Sequence, residues 1–223
     1  MQSNQTFLSI SPAECERIFP SVFINAAQLQ KAGQLLADNK MYGPAISLTI
    51  LGAEEYVKSL CLYLEGKGFQ LRDIKAIQGI FSQHTARHRV MRDTFSVWIV
   101  LKDLLSLSRK STRKQILQTS ALALLNIFSA ISNHEWWQQA DDLKNKGLYA
   151  NYRNGLILPD SLTNEEFLNT IKFTKSIPTE IQSFVNRLNK MDIQELKGFI
   201  TLFKEAQIDQ LIEESILTKR RPE

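Results

Sequence analysis

Apolar positions crowd one stretch of the chain so closely that they predict its centre. From Pro44 to Gly66, the residues Ala45, Ile46, Leu48, Ile50, Leu51, Ala53, Val57, Leu60, Cys61, Leu62 and Leu64 leave no wide polar face. A helix with that pattern is surrounded by protein on most sides. Pro44 suits its first turn and Gly66 its end. Glu54, Glu55 and Lys58 interrupt it, and Glu55 falls on the ladder Leu48, Leu51, Glu55, Lys58, Leu62, which is otherwise apolar at helical spacing. Desolvating a carboxylate costs on the order of several kcal/mol unless it is paired, so Glu55 is expected to meet a partner from elsewhere in the chain.

The remaining pattern predicts helices and little else. Ser11-Pro12-Ala13-Glu14 is a capping box with proline at the first helical position; Pro20 should bend or restart the helix it opens, which runs to about Asp38. Asn39 to Gly43 is a tight connection. Asp73 can cap a long helix reaching about Leu107, with Ile77, Ile80, Phe81, Met91, Phe95 and Trp98 along one stripe. Polar Ser108 to Ser111 separates it from a second buried helix, Thr112 to Ser132. Asn133 then caps a short helix, His134 to Lys146, with Trp136 and Trp137 towards the core. Gly147 to Pro159 has two glycines, a proline and no helical period, and predicts an ordered loop with a little extended structure, pinned by Tyr149 and Tyr152. Thr163-Asn164-Glu165-Glu166 is a second capping box, and Asp192 with Glu195 a variant third. Helices of about Asn164 to Lys175, Pro178 to Lys190 and Ile193 to Leu217 follow. The fold class is all-α.

Composition narrows the setting. At 223 residues and 43% hydrophobic, the chain can bury a proper core and fits one domain, or one domain with a helical appendage. Cys15 and Cys61 lack metal-type spacing, as expected of reduced thiols in a cytoplasmic protein. The first residues show no basic flank leading into an apolar run, and the longest apolar segment, Ile116 to Ile131, is broken by polar side chains. Neither export nor a membrane span is expected. The formal charge of +4 gathers in clusters such as Arg87, Arg89 and Arg92, or Lys219, Arg220 and Arg221. Such clusters attract phosphate, but solvated helix ends look the same in sequence.

The candidate chemistry lies in Gln83-His84-Thr85-Ala86-Arg87-His88. His84, Arg87 and His88 stand at i, i+3 and i+4, interrupting the apolar stripe of the long helix. Three roles fit. The two histidines can share a zinc ion with Glu54 or Glu55 as third ligand, although neither His-Glu-x-x-His nor a paired Glu-x-x-His occurs, and no metal or cofactor is expected. Glu54, Glu55 and Lys58 can instead join Arg87 and the histidines in a buried polar network that fixes helix register. Alternatively, a histidine can deprotonate a ribose 2′-hydroxyl or protonate a leaving oxygen while the arginine holds the phosphate, which is metal-independent RNA cleavage.

Three blocks also carry a family resemblance. Tyr42-Gly43-Pro44-Ala45-Ile46-Ser47-Leu48 with Ala53-Glu54-Glu55-Tyr56-Val57-Lys58, then Phe81 to His88, then Lys144-Asn145-Lys146-Gly147-Leu148-Tyr149-Ala150-Asn151-Tyr152, resemble in order and spacing the signature blocks of the AbiV branch of the HEPN superfamily. The resemblance spans roughly residues 40 to 160 and implies a HEPN-like helical bundle, taken as a domain over residues 1–160; the helices after Ser161 lie outside it and are read as a C-terminal helical extension packed on the same domain (161–218), with a basic tail (219–223). It further implies a homodimer and an abortive-infection role in phage defence, in which a toxin-like endoribonuclease cuts tRNA, rRNA or mRNA and stops translation. A phage-encoded activator or an antitoxin protein is a possible partner. His84, Arg87 and His88 would then be catalytic, with Glu54, Glu55 and Lys58 in support, and with Lys144, Lys146 and Tyr149 contacting RNA. Many HEPN ribonucleases use an arginine followed four to six residues later by a histidine, and no arginine stands at that distance before His84, His88 or His134. The alternative is a catalytically silent HEPN module that acts by binding a phage or host protein.

Overall fold

The computed structural model describes residues 7–73, 136–137, 139–152 and 155–205, the last four of these without side chains. Helix α1 spans Pro12–Asp38 and α2 spans Tyr42–Gly66. A helix α3 covers 139–148, with residues 136 and 137 helical ahead of it. Helices α4 (Asn164–Thr174), α5 (Ile177–Asn189) and α6 (Ile193–Glu205) complete the order, and no strand occurs among the described residues. None of the described helices is long and apolar enough to cross a membrane. The expected long helix to Leu107 and the Thr112 to Ser132 helix lie outside the described residues.

α2 is the central element, as its composition requires. Its buried residues run from Gly43 to Glu65 on nearly every side, and α1, α4 and α5 all pack against it. Small residues let α1 lie close. A Cβ on Gly33 would fall 2.9 Å from the Ala45 carbonyl oxygen, and one on Gly52 would fall 3.0 Å from that of Ala26. Pairing of 33 with 45 and of 26 with 52 makes the two helices antiparallel, joined by the turn at Asn39 to Met41. Lys40 takes a left-handed backbone, φ 61°, to make that turn. Phe23 on Tyr56 and Phe19 on Tyr63 fill the seam with ring contacts at 4.8 and 5.1 Å.

Pro20 does not restart the first helix. It stands exposed inside an unbroken α1, where the lost backbone hydrogen bond faces solvent and the opposite side of the helix stays packed on α2. The caps follow the sequence more closely. Ser11 accepts from the Glu14 amide at 3.1 Å, although the Glu14 carboxylate turns to Arg17 rather than back to the cap. Thr163 and Glu166 form both halves of their box, and Asp192 and Glu195 do the same. The C-terminal helices join the core through Phe167, Ile177, Ile181, Phe184, Leu188 and Phe199, and specific contacts fix their positions. Tyr63 donates to Asn189 Oδ1 at 2.7 Å, Phe69 meets Phe199 at 5.6 Å, and Trp136 stacks on Phe173 at 5.0 Å. Trp136 and Trp137 are buried, as expected.

Candidate functional site

The most constrained polar cluster joins α2 to α3. Gly43, Ser47 and Glu54 share one face of α2, and Asp141, Lys144 and Gly147 share one face of α3. The Lys144 Nζ donates to Glu54 Oε1 at 2.7 Å and lies 3.0 Å from Asp141 Oδ1. Both partners of the first pair are sealed from water, with side chains 6% and 1% exposed. The Ser47 hydroxyl donates to the Lys144 carbonyl at 2.7 Å, with the Gly43 carbonyl 3.1 Å away. The backbones meet so closely that a Cβ on Gly147 would fall 2.3 Å from the Gly43 oxygen, and one on Gly43 would fall 2.4 Å from the Pro159 oxygen. A helix end and both ends of the following loop are thus locked onto the start of α2.

This geometry revises two expectations. The buried carboxylate is Glu54, not Glu55. The ladder Leu48, Leu51, Glu55, Lys58 turns out to be the least covered face of α2, each residue half-buried, and Glu55 is met by Lys58 one turn on. Its partner is local because it needs little more. Lys144, expected to reach for phosphate, is 5% exposed and spends its charge on Glu54. Glu54 therefore does belong to a polar network, but among the described residues that network runs to α3. Lys146 is exposed, as are Tyr149 at 65% and Tyr152 at 81%. The tyrosines do not pin the loop; Gly147, Pro159 and the Asn151–Ile157 bridge hold it.

A second cluster closes the far end of α2. Arg72 pairs with buried Glu65 at 3.4 Å, donates to Cys15 Sγ at 3.1 Å and lies over the Phe7 ring at 5.2 Å. Burial pushes the Cys15 thiol up despite the opposing pull of Arg72, and burial drives the Cys61 thiol up to about 12. Both cysteines are free thiols, and neither is set to ionise as a nucleophile. Among the described residues no group of three or more His, Cys, Asp and Glu side chains is placed to hold a metal. His84, Arg87 and His88 lie outside the described residues.

Gly43, Ser47 and Gly147 stand in the signature blocks without a role read from the sequence, and Asp141 was passed over. A signal was present: small residues at i and i+4 on α2, Gly43 and Ser47, mark a place where another backbone comes close. What lies opposite them, 97 residues on, has no local mark.

The family model for AbiV, a HEPN family, matches residues 14–178. The match begins in the first turn of α1, contains α2 and α3 and continues through α4, past the signature blocks. No curated protein and no solved structure matches the chain.

Proposed function

Given that the chain belongs to the AbiV family of the HEPN superfamily, which suggests abortive-infection defence, we propose that it acts as a toxin-like, metal-independent endoribonuclease that halts translation in infected cells. The family match over residues 14–178 carries this reading. The chemistry is assigned to His84, Arg87 and His88. One neutral histidine takes the proton of a ribose 2′-hydroxyl, whose oxygen attacks the adjacent phosphorus. The P–O5′ bond breaks as the other histidine, protonated, gives its proton to the leaving oxygen, and a 2′,3′-cyclic phosphate remains. Arg87 neutralises the charge that develops on the phosphoryl oxygens. Two copies of the chain are expected to act together.

The test is purified protein with total RNA, tRNA and ribosomes in excess EDTA, with and without phage lysate. Discrete fragments ending in cyclic phosphate are expected, and they should vanish in the His84→Ala, His88→Ala double variant. Undiminished cleavage by that variant would move the site elsewhere. Intact RNA under every condition would favour the second reading, a silent HEPN module that binds a phage or host protein. The missing arginine four to six residues before a histidine is the observation on that side.

A further inference from the structure

The loop after α3 displays apolar side chains that the fold leaves uncovered. Leu148, Tyr149, Tyr152, Leu156 and Leu158 are 40%, 65%, 81%, 71% and 44% exposed. Their frame is nevertheless fixed. Asn151 and Ile157 exchange both backbone hydrogen bonds, at 2.9 and 2.7 Å, and Gly155 turns the chain between them with φ +107°. The Tyr149 amide donates to the Asn145 carbonyl at 2.9 Å, and the Ser161 hydroxyl to that of Leu158 at 2.7 Å. Gly147 and Pro159 seat both ends on α2. An apolar surface whose backbone is already ordered gives up little further entropy when something covers it.

Charge selects the occupant. Asp142, Lys146 and Asp160 border the apolar residues and are all exposed. Leaving aside Lys144 in its buried pair, the described rim carries one positive and two negative charges, none of the excess that gives the whole chain +4. A nucleic-acid backbone laid here would meet Asp142 and Asp160 as well as Lys146, so this is a poor phosphate track. An apolar centre with a rim of both signs is the composition of a protein interface. It is also self-complementary, since a two-fold axis brings each sign of the rim to the other in an identical copy.

We propose that this hairpin is the surface through which two copies of the chain associate, Tyr149, Tyr152 and Leu156 of one covering those of the other. The inference rests on the reading of the protein as a HEPN pair and places the contact on this hairpin instead of on the apolar residues that flank the histidines in sequence, Ile80, Phe81 and Met91, the other surface through which two copies could pair. It also reassigns Lys146 and Tyr149 from RNA contact to self-association.

The test is sedimentation of the full chain over a concentration series, as wild type and as Tyr152→Glu, Leu156→Glu and Phe81→Glu. Both hairpin variants should raise the dimer dissociation constant by about thirtyfold or more with an unchanged helical circular-dichroism spectrum, because both side chains are exposed. A wild-type dimer indifferent to both would overturn the inference; if Phe81→Glu then splits it, the pair survives with its contact elsewhere. A wild type monomeric at all concentrations would overturn the pair as well. Loss of anisotropy-measured affinity for a labelled single-stranded RNA, with the dimer intact, would overturn the inference and return the hairpin to RNA. Cleavage in EDTA is scored separately, so the ribonuclease reading fails or stands on its own result.

Discussion

Of the three adjacent positions Ala53, Glu54 and Glu55, two carry the same carboxylate, and their surroundings separate them completely. Glu54 is 2% exposed with Lys144 as partner, whereas Glu55 is half-buried beside Lys58. Removing one member of a buried pair typically costs about 3 to 5 kcal/mol, and an exposed change stays within about 0.5. Glu54→Ala and Lys144→Ala should therefore each lower unfolding free energy in urea by that larger amount, and Lys146→Ala should leave it unchanged. Replacing both partners together, Glu54→Leu with Lys144→Met, should recover most of the loss, since two apolar groups of similar volume need no counter-charge. Equal midpoints for Lys144→Ala and Lys146→Ala would contradict the placement. Tyr63 gives a pH dependence: burial, then the nearby Glu16 charge, pushes its phenol up to about 12. The folded form holds that proton above the pH, about 10, at which an unfolded tyrosine releases it. The stabilisation is thus complete below pH 10 and lost as pH rises towards 12, and urea midpoints of Tyr63→Phe should fall less over that interval. That a charge in α2 needs a distant partner was legible in the sequence. Which glutamate was not, because a helix apolar on nearly all sides gives periodicity no face to choose.

Among the described elements, caps and helix bounds were legible to within a few residues, since Ser11, Thr163 and Asp192 announce themselves by local chemistry; the Asn133 cap and the expected end of the last helix at Leu217 lie outside the described residues. Packing of α3 on α2 was not, because it depends on two glycines meeting across just over a hundred residues, Gly43 and Gly147. Gly147→Ala is the sharpest check. Its Cβ would overlap the Gly43 carbonyl, fixed by the helix, and the Ser47 hydroxyl, held by its hydrogen bonds, each at 2.3 Å, so overpacking should cost about 1 to 3 kcal/mol and shift the emission of Trp136 and Trp137. An unchanged melting temperature and spectrum would mean that α3 lies further from α2. Pro20 offers the opposite sign. It interrupts the hydrogen bonding of an otherwise continuous α1, and Pro20→Ala should raise stability by up to about 3 kcal/mol in calorimetry.

For the molecule as a whole, sequence pattern and signature blocks carried the all-α class and the family, which the match over residues 14–178 and the described helices bear out. The surface was harder to foresee. Tyr149 and Tyr152 look like core plugs in composition, because an aromatic ring beside glycines gives no hint of which way it faces. Their exposure depends on a loop seated by Gly147 and Pro159, a property of tertiary structure alone. The same holds for the borders of the domain. Once Trp136 stacks on Phe173, α4 is continuous with the core, and the signature blocks by themselves stop short of it.

The Glu54–Lys144 pair also imposes an order of events on synthesis. α1 and α2 are neighbours in the chain and pair through local contacts, the kind that form fastest. The lysine that neutralises their buried carboxylate emerges 90 residues later. Until it does, a nascent hairpin must either keep Glu54 in water or protonate it, so the N-terminal half is held short of its final packing while the ribosome works on the rest. A chain released early, before residue 144, lacks the charge that closes its own centre. Such a product should be cleared by proteases rather than accumulate.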